Sequence, residues 1–356
     1  MKILNQISKI NFMIEIDGLF GYGQVLRTAI ALSALTLKPV KIFNIRKRRP
    51  KPGLMAQHLT GVKIAGEFCN AEIKGLKLYS TELEFIPKEL DTPSKKKIDI
   101  GTAGSIGLLL QTLVPIILFS DKEVELEIRG GTAGLGAPPI EYLQNVLFSI
   151  LVKLGIRLPE IEILRYGFYP RGGGVVKCKF YPVDKLRSIE LVERGEVKDI
   201  EGISICGSLP EHIAKRQANS AKKFLLENGY NSEIKALAAN TFSPGTCITL
   251  WANCENTILG SDSLGKRGKP AEKVGEEAAK DLLNSINSNV ALDKYMADQI
   301  IPFIALAKGK SKIKVEEITE HCLTNMKVCE KILDVEFQVD KENKVIEVEG
   351  VGFKRD

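Results

Sequence analysis

One plan of elements recurs along this chain, and it limits the folds open to it. FMIEI (12–16) is an apolar run with the look of a buried strand. The glycine-rich turn DGLFGYG follows, then VLRTAIALSAL with helical apolar spacing. VKIFNI reads as a second strand, and PGLMAQHLTGVKIAGEF as a helix with proline near its start. CNAEIKG and STELEFIP close the unit as two strands around a turn. The plan returns with KIDI, a helix over 106–119, EVELEIRG, a helix from Pro138–Pro139 through APPIEYLQNVLFSILVKLG, and the strands IEILRYGF and VVKCKFYP. A third copy opens at SIELVE and is interrupted. It resumes near Val290 with a helix over VALDKYMADQIIPFIALA, the strand KIKVEEI, the helix HCLTNMKVCEKIL and a hairpin turning over Lys341–Glu342–Asn343.

The interruption is itself α/β. ISICGS, SEIKALAAN and TCITLWAN read as strands, EHIAKRQANSAKKFLLENG and AEKVGEEAAKDLLNSI as helices. A sheet face in each unit must be covered by helices. The expected fold is therefore α/β of the α+β type. Three repeated βαβαββ modules form a large domain over 1–193 plus 289–356, and a small α/β domain is inserted at 194–288. At 356 residues the chain is long enough for two domains.

Hydrophobic residues make up 44% and charged residues 26%, as in a globular protein. The run LLLQTLVPIILF is too short to span a bilayer and is broken by Gln and Pro, so no membrane partner is expected. MKILNQISKINFMIEI lacks a clear apolar h-region and cleavage site. Seven cysteines, with no C-x-x-C pair, form no disulfide framework, and a reducing cytoplasm is the expected location. Cys322 and Cys329, seven apart on one helix, suit core packing.

The net charge of +6 is mild, but its distribution is uneven. IRKRRPKPG holds five cations between Arg46 and Lys51; SKKK (94–97) and GKRGK (265–269) are smaller clusters. Each is either a solvated face or the contact for an anionic partner such as nucleic acid. Arg46 and Arg49 lie between a strand and a helix, with Arg27 one turn into the first helix; arginine grips phosphate through two parallel N–H bonds. Arg48 is the first candidate for a merely solvated cation. Glycine turns in DGLFGYGQ, IGTAGSIG and RGGTAGLGAPP are either tight turns or loops gathered at one face for an anion. No P-loop, H-E-x-x-H, zinc signature or G-x-S-x-G elbow is present.

His321, among three histidines, opens the helix EHCLTNMKVCEKIL. It is a cap or packed residue, or it does acid–base or nucleophilic chemistry. A helix N-terminus disfavours the imidazolium and so favours a neutral ring. Thr324 and Asn325, one turn on, are placed to orient the ring or a bound phosphate. His58 and His212 form no metal motif with it.

These stretches resemble the RNA 3′-terminal phosphate cyclases along nearly the whole chain. The residues that carry the likeness are IRKRRPKPGLMAQHLTGVKIA, GTAGSIGLLLQTLVPIIL, GGTAGLGAPPIEYL, RYGFYPRGGGVV, LPEHIAKRQ, YMADQIIPFIALA and HCLTNMKVCEKIL. The resemblance implies the same three-module fold with an insert, related in plan to enolpyruvyl transferases. It implies an ATP-dependent ligase that converts an RNA 3′-phosphate into a 2′,3′-cyclic phosphate through an adenylylated histidine and an RNA-adenylate. Carried over by motif, His321 is the nucleophile, and Gln111, Pro138, Tyr295, Asp298 and Gln299 surround the adenylate, with Tyr295 and Pro138 on either side of the adenine. Arg27, Arg46, Arg49 and Gln57 hold the RNA terminal phosphate. ATP, an RNA 3′-phosphate end and a divalent metal (Mg or Mn) are the implied ligands; the metal's residues are unknown. Little sequence preference is expected of an end-reading enzyme.

Two positions depart from the family pattern. The family commonly reads D-G-x-x-G-E-G-G-G-Q; here DGLFGYGQ is two residues shorter and lacks the glutamate, with Tyr22 nearby. GGTAGLGAPP lacks the Asp or Asn usual after G-G-T. A cyclase-like RNA-binding factor of ribosome biogenesis is the alternative these departures raise. An enolpyruvyl transferase would share only the module plan.

Overall fold

The structure, a computed structural model, describes residues 13–355. Module one runs β1 (Ile14–Asp17), α1 (Tyr22–Thr36), β2 (Val40–Phe43), α2 (Ala56–Phe68), β3 (Glu72–Lys74) and β4 (Leu83–Ile86). Phe12 of the expected first strand lies outside the described residues, as do residues 1–12 of the stretch read for a leader. Module two runs β5 (Lys95–Asp99), α3 (Ile106–Leu118), β6 (Val124–Gly130), α4 (Ile140–Tyr142), a π-turn over Leu143–Leu147, α5 (Phe148–Lys153), β7 (Glu160–Arg165) and β8 (Gly174–Phe180). After β9 (Glu190–Leu191) come β10 (Val197–Gly207), α6 (His212–Glu227), β11 (Glu233–Ala239), β12 (Gly245–Cys254), β13 (Ile258–Leu264) and α7 (Ala271–Asn287). The third module then resumes as α8 (Met296–Gln299), α9 (Ile301–Leu306), β14 (Lys308–Lys314), α10 (Glu320–Leu333), β15 (Phe337–Asp340) and β16 (Val345–Val351).

Three sheets repeat one connectivity: β1-β2-β4-β3, β5-β6-β8-β7 and β9-β14-β16-β15. In each, the first two strands are parallel and the later pairings antiparallel. A parallel pair needs a crossover, which α1 and α3 supply in the first two modules. In the third, β9 and β14 are joined through the whole 194–288 stretch. The fourth sheet, β11-β10-β12-β13, has α6 and α7 on one face and its own apolar core.

Strand burial alternates, as in β8, so each module sheet has a covered face and a wetter one. The helices meet in the centre. α1 packs on α2, α3 and α10 and is buried almost all round, which its continuous run of Leu, Ile and Ala permits. Leu26, Ile30 and Leu32 are fully enclosed, each worth about 1.5–3 kcal/mol of burial.

Four expectations need correcting. Pro52 lies outside α2, which starts at Ala56, because Gly53 and Leu54 bond back to Ile45 and Ser80. The helix expected over 290–307 starts at Met296 and breaks at Ile300, where Pro302 enters the first turn of α9. β13 is a strand where the sequence pattern predicts none. Arg48 is not merely solvated, since its guanidinium stacks 4.2 Å over Phe20. All seven cysteines are buried and unbridged, Cys322 and Cys329 in the α10 core.

Candidate active site

α10 owes its start to Thr319, whose Oγ1 accepts the Cys322 N–H at 3.1 Å. That cap leaves His321, two residues on, free for other use. Its imidazole lines a cavity of about 850 Å³ together with Arg27 and Gln24 from α1, Gln111 from α3, Pro138, and Tyr295, Asp298 and Gln299 around α8. Of the sequence-expected residues, seven meet there: His321, Arg27, Gln111, Pro138, Tyr295, Asp298 and Gln299.

The His321 ring is held neutral. Burial and the nearby charges of Arg27 and Arg49 depress its pKa below the ordinary 6.5, against a smaller opposite pull from Glu320. Its Nδ1 is buried without a hydrogen-bond partner. Thr324 and Asn325 do not orient this ring. Thr324 Oγ1 donates to the Glu320 and His321 carbonyls. Asn325, fully buried, accepts from Thr28 Oγ1 at 2.5 Å and donates to the Asp298 carbonyl at 2.7 Å, so it locks α10 to α1 and α8.

Polar groups at the other end are tied to one another. Gln111 Nε2 donates to Gln299 Oε1 at 2.8 Å, and Gln299 Nε2 donates to the Tyr295 carbonyl at 2.8 Å. Gln111 Oε1 has no partner, although it is buried. Burial pushes the Asp298 carboxyl up to about 7, with Arg27 pulling the other way, and brings the Arg27 guanidinium down to about 10. Arg27 therefore stays cationic at neutral pH.

The remaining phosphate candidates lie outside this cavity. Arg46 folds onto its own loop, Nη1 donating to the Lys51 and Gly53 carbonyls at 3.1 and 2.7 Å. Arg49 stacks 3.9 Å over the ring of Tyr22, whose centroid is 5.7 Å from that of His321. Gln57 Oε1 accepts the Ser105 N–H and borders a neighbouring groove. His58 is a buried neighbour of Arg27 and Arg46 with its pKa down at about 3; its Nδ1 accepts the Met55 N–H at 3.1 Å.

Sequence reasoning missed Asp293. This buried carboxylate accepts from Tyr142 Oη at 2.7 Å and from the Tyr295 and Met296 N–H groups at 2.9 Å through Oδ1, and from Gly260 N–H at 2.9 Å through Oδ2. One side chain thus joins module two, β13 and the start of α8. An aspartate just before a helix is an N-cap signal, legible in LDKYM. Also missed was the contribution of the 194–288 stretch: Asp262, Lys266, Arg267, Lys269 and Lys273 line the cavity wall. By contrast, the Lys95–Lys97 cluster is absorbed by Glu125, Glu67 and Glu127.

A divalent metal finds no ready protein cage. Among the described residues no group of three or more His, Cys, Asp or Glu side chains could hold one. Asp17 is engaged with Leu19 N–H and Asn44 Nδ2. No helix among the described residues is long and apolar enough to cross a membrane.

The family profile described as RNA 3′-terminal phosphate cyclase matches residues 19–339. The chain belongs to the RNA 3′-terminal phosphate cyclase family. Relatives named RNA 3′-terminal phosphate cyclase include that of Ignicoccus hospitalis, 44% identical over 96% of this chain and 100% of its own. Those of Pyrobaculum aerophilum, 44% identical over 96% of this chain and 99% of its own, and Methanococcoides burtonii, 45% identical over 94% and 99%, match comparably. Family membership sets aside the enolpyruvyl transferase reading.

Proposed function

We propose that this cavity carries out ATP-dependent cyclisation of RNA 3′-phosphate ends. The observation that carries the reading is that His321, its pKa depressed, lines the same cavity as Arg27, Gln111, Pro138, Tyr295, Asp298 and Gln299. The Nε2 lone pair attacks the α-phosphorus of ATP, the bond to the bridging oxygen breaks, and pyrophosphate leaves with that electron pair. An oxygen of the RNA 3′-phosphate then takes AMP from the histidine. The adjacent 2′-hydroxyl attacks the activated phosphorus, losing its proton, and AMP departs to leave the 2′,3′-cyclic ester. A covalent intermediate divides one hard displacement into easier ones. Arg27 offsets developing phosphate charge from within the cavity, and Arg49 adds its field from behind Tyr22.

Tyr295 and Pro138 supply flat faces for the adenine, and Asp298 with Gln299 the polar groups for the ribose. Arg46, Arg49 and Gln57 receive the RNA terminal phosphate at the cavity's edge. In this reading 1–193 with 289–356 is the three-module core, and 194–288 is an inserted domain. A divalent metal would be held largely by substrate oxygens, since the described residues offer no group of three or more His, Cys, Asp or Glu side chains to cage it.

The test is covalent labelling. The full chain is incubated with α-labelled ATP and Mg or Mn, denatured and separated. Label on the wild type and none on His321→Ala supports the nucleophile. Equal labelling of both, or none with either metal, sinks it; RNA binding that survives in the second case would identify the RNA-binding factor that the Tyr22 position raises.

A further inference from the structure

A second groove, about 1350 Å³, adjoins the His321 cavity and, apart from Gln57 on its margin and Pro-free of the adenylate set, holds none of the other residues given a role above. The two share a wall made by the glycine loop at Leu135 and the segment joining β13 to α7. At that volume the groove exceeds the roughly 300–1,000 Å³ usual for one small molecule. One margin is Gln57, in the terminal-phosphate set. Another is the Phe168–Tyr169–Pro170 run of the RYGFYPRGGG motif. A third is the start of α6, in the LPEHIAKRQ motif. Two family-like motifs left without a role thus meet here.

Its chemistry is one-sided. Every charged residue on the groove is a cation: Arg216, Lys266, Arg267 and Lys269. Arg216 is paired with Glu272, and Lys269 with Glu277. Lys266 and Arg267 are exposed, with no carboxylate within ion-pair distance among the described residues. The rest of the lining is largely apolar, and two large side chains stand bare on it: Tyr169 is 81% exposed and Leu135 97%. An exposed aromatic face and unpaired cations lining one trough, continuous with a site for a nucleic-acid end, are means by which single strands are held.

We propose that this groove takes the single-stranded nucleotides immediately 5′ of the RNA end being processed, a base stacking on Tyr169 and backbone phosphates meeting Lys266 and Arg267. The proposal rests on the RNA-end reading of the adjoining cavity. It also accounts for the inserted stretch, whose β13–α7 segment closes both spaces, so that strand and nucleotide are held by one loop.

The experiment measures binding of 5′-fluorescein RNAs of two and six nucleotides to the full chain by anisotropy, with 3′-phosphate and with 3′-hydroxyl ends. The six-mer should bind about tenfold tighter than the dimer with either end, the effect of one stacked base. Tyr169→Ala should remove most of that gain and leave the dimer unchanged, while Tyr169→Trp keeps it. Lys266→Ser with Arg267→Ser should flatten the logarithmic salt slope for the six-mer by about 1.4, two single-strand phosphate contacts. Equal binding of both lengths by wild type, or equal loss of both in Tyr169→Ala, overturns the proposal. Equal binding with a sedimenting dimer that Tyr169→Ala dissociates would assign the groove to a second copy instead. Labelling of the same wild-type preparation by α-labelled ATP separates the failures: no label with a length effect present rejects His321 as nucleophile but not the groove.

Discussion

Asn325 fixes the floor under His321, and replacing it should couple measurably to Thr28. Asn325→Leu keeps the side-chain volume nearly constant but offers no polar atom. Thr28 Oγ1, only 4% exposed, loses its acceptor, and the Asp298 carbonyl loses the 2.7 Å donor. Each orphaned buried group costs about 1–3 kcal/mol, so the variant should lose about 2–6 kcal/mol out of a typical total of about 5–15. Thr28→Val alone orphans only Asn325 Oδ1 and should cost about 1–3 kcal/mol. In the double variant only the Asp298 carbonyl remains unpaired, so the loss should return to about 1–3 kcal/mol. The coupling is then about 2 kcal/mol or more, well above the ~0.5 kcal/mol scatter of independent sites. Urea titration measures it, with an unchanged slope showing that the unfolded state is the same. A double variant whose loss equals the sum of the singles would refute the bridge between α1, α10 and α8. Because Asn325 also holds the Asp298 carbonyl, Asn325→Leu should label more slowly with α-labelled ATP even where it is folded.

Further outcomes follow from the same geometry. Asp298, raised from 3.8 to about 7 by burial, holds its proton more tightly folded than unfolded, so its contribution to stability is greatest below about pH 4 and is lost as pH rises through 7. Asp298→Asn should therefore lose less Tm between pH 5 and 8 than wild type; a steeper loss contradicts the assignment. The depressed pKa of His321 places the acid limb of the labelling rate below pH 6.5, and a limb above that value would show a ring that is not held neutral. Gly21 has φ +76°, and a Cβ there would meet Thr324 Oγ1 at 2.3 Å. Gly21→Ala should cost about 2–4 kcal/mol from left-handed strain and overpacking, and should slow labelling by pushing the start of α10; a neutral effect in thermal melts and labelling rules that contact out.

The module plan was legible because it is written locally. Alternation in EVELEIRG and helical spacing in VLRTAIALSAL depend only on neighbours in sequence, and the same pattern three times leaves few topologies. His321 could be singled out for the same reason, as a polar residue at a helix start. What escaped depends on contacts far apart in the chain. β13, ILGSDSL, carries glycine and serines where strands usually carry branched residues. Gly260 is needed there because a Cβ would lie 2.6 Å from the Tyr142 ring, and Ser261 because its hydroxyl donates to the Ala278 carbonyl. Asn325 was placed one turn from His321 correctly, but its amide turns inward, and no pattern shows which face of α10 meets α1. GKRGK looked like SKKK in sequence; tertiary placement put one over a cavity and the other among glutamates.

Tyr22 is where the departure from the family pattern has a physical consequence. A glutamate facing His321 would raise the imidazole pKa and draw in a cation. Tyr22 instead holds the Arg49 guanidinium 3.9 Å over its ring, whose centroid lies 5.7 Å from that of the imidazole. Arg27 within the cavity and Arg49 outside it both act to keep the His321 ring neutral, against a smaller opposite pull from Glu320. Under the proposed chemistry, Arg27 and Arg49 take part in the charge neutralisation a triphosphate needs. Tyr22→Glu should then raise the pH of the acid limb in the labelling rate and make that rate more sensitive to Mg concentration. A variant that shifts neither would show that Arg49 does not act on His321 through this stack.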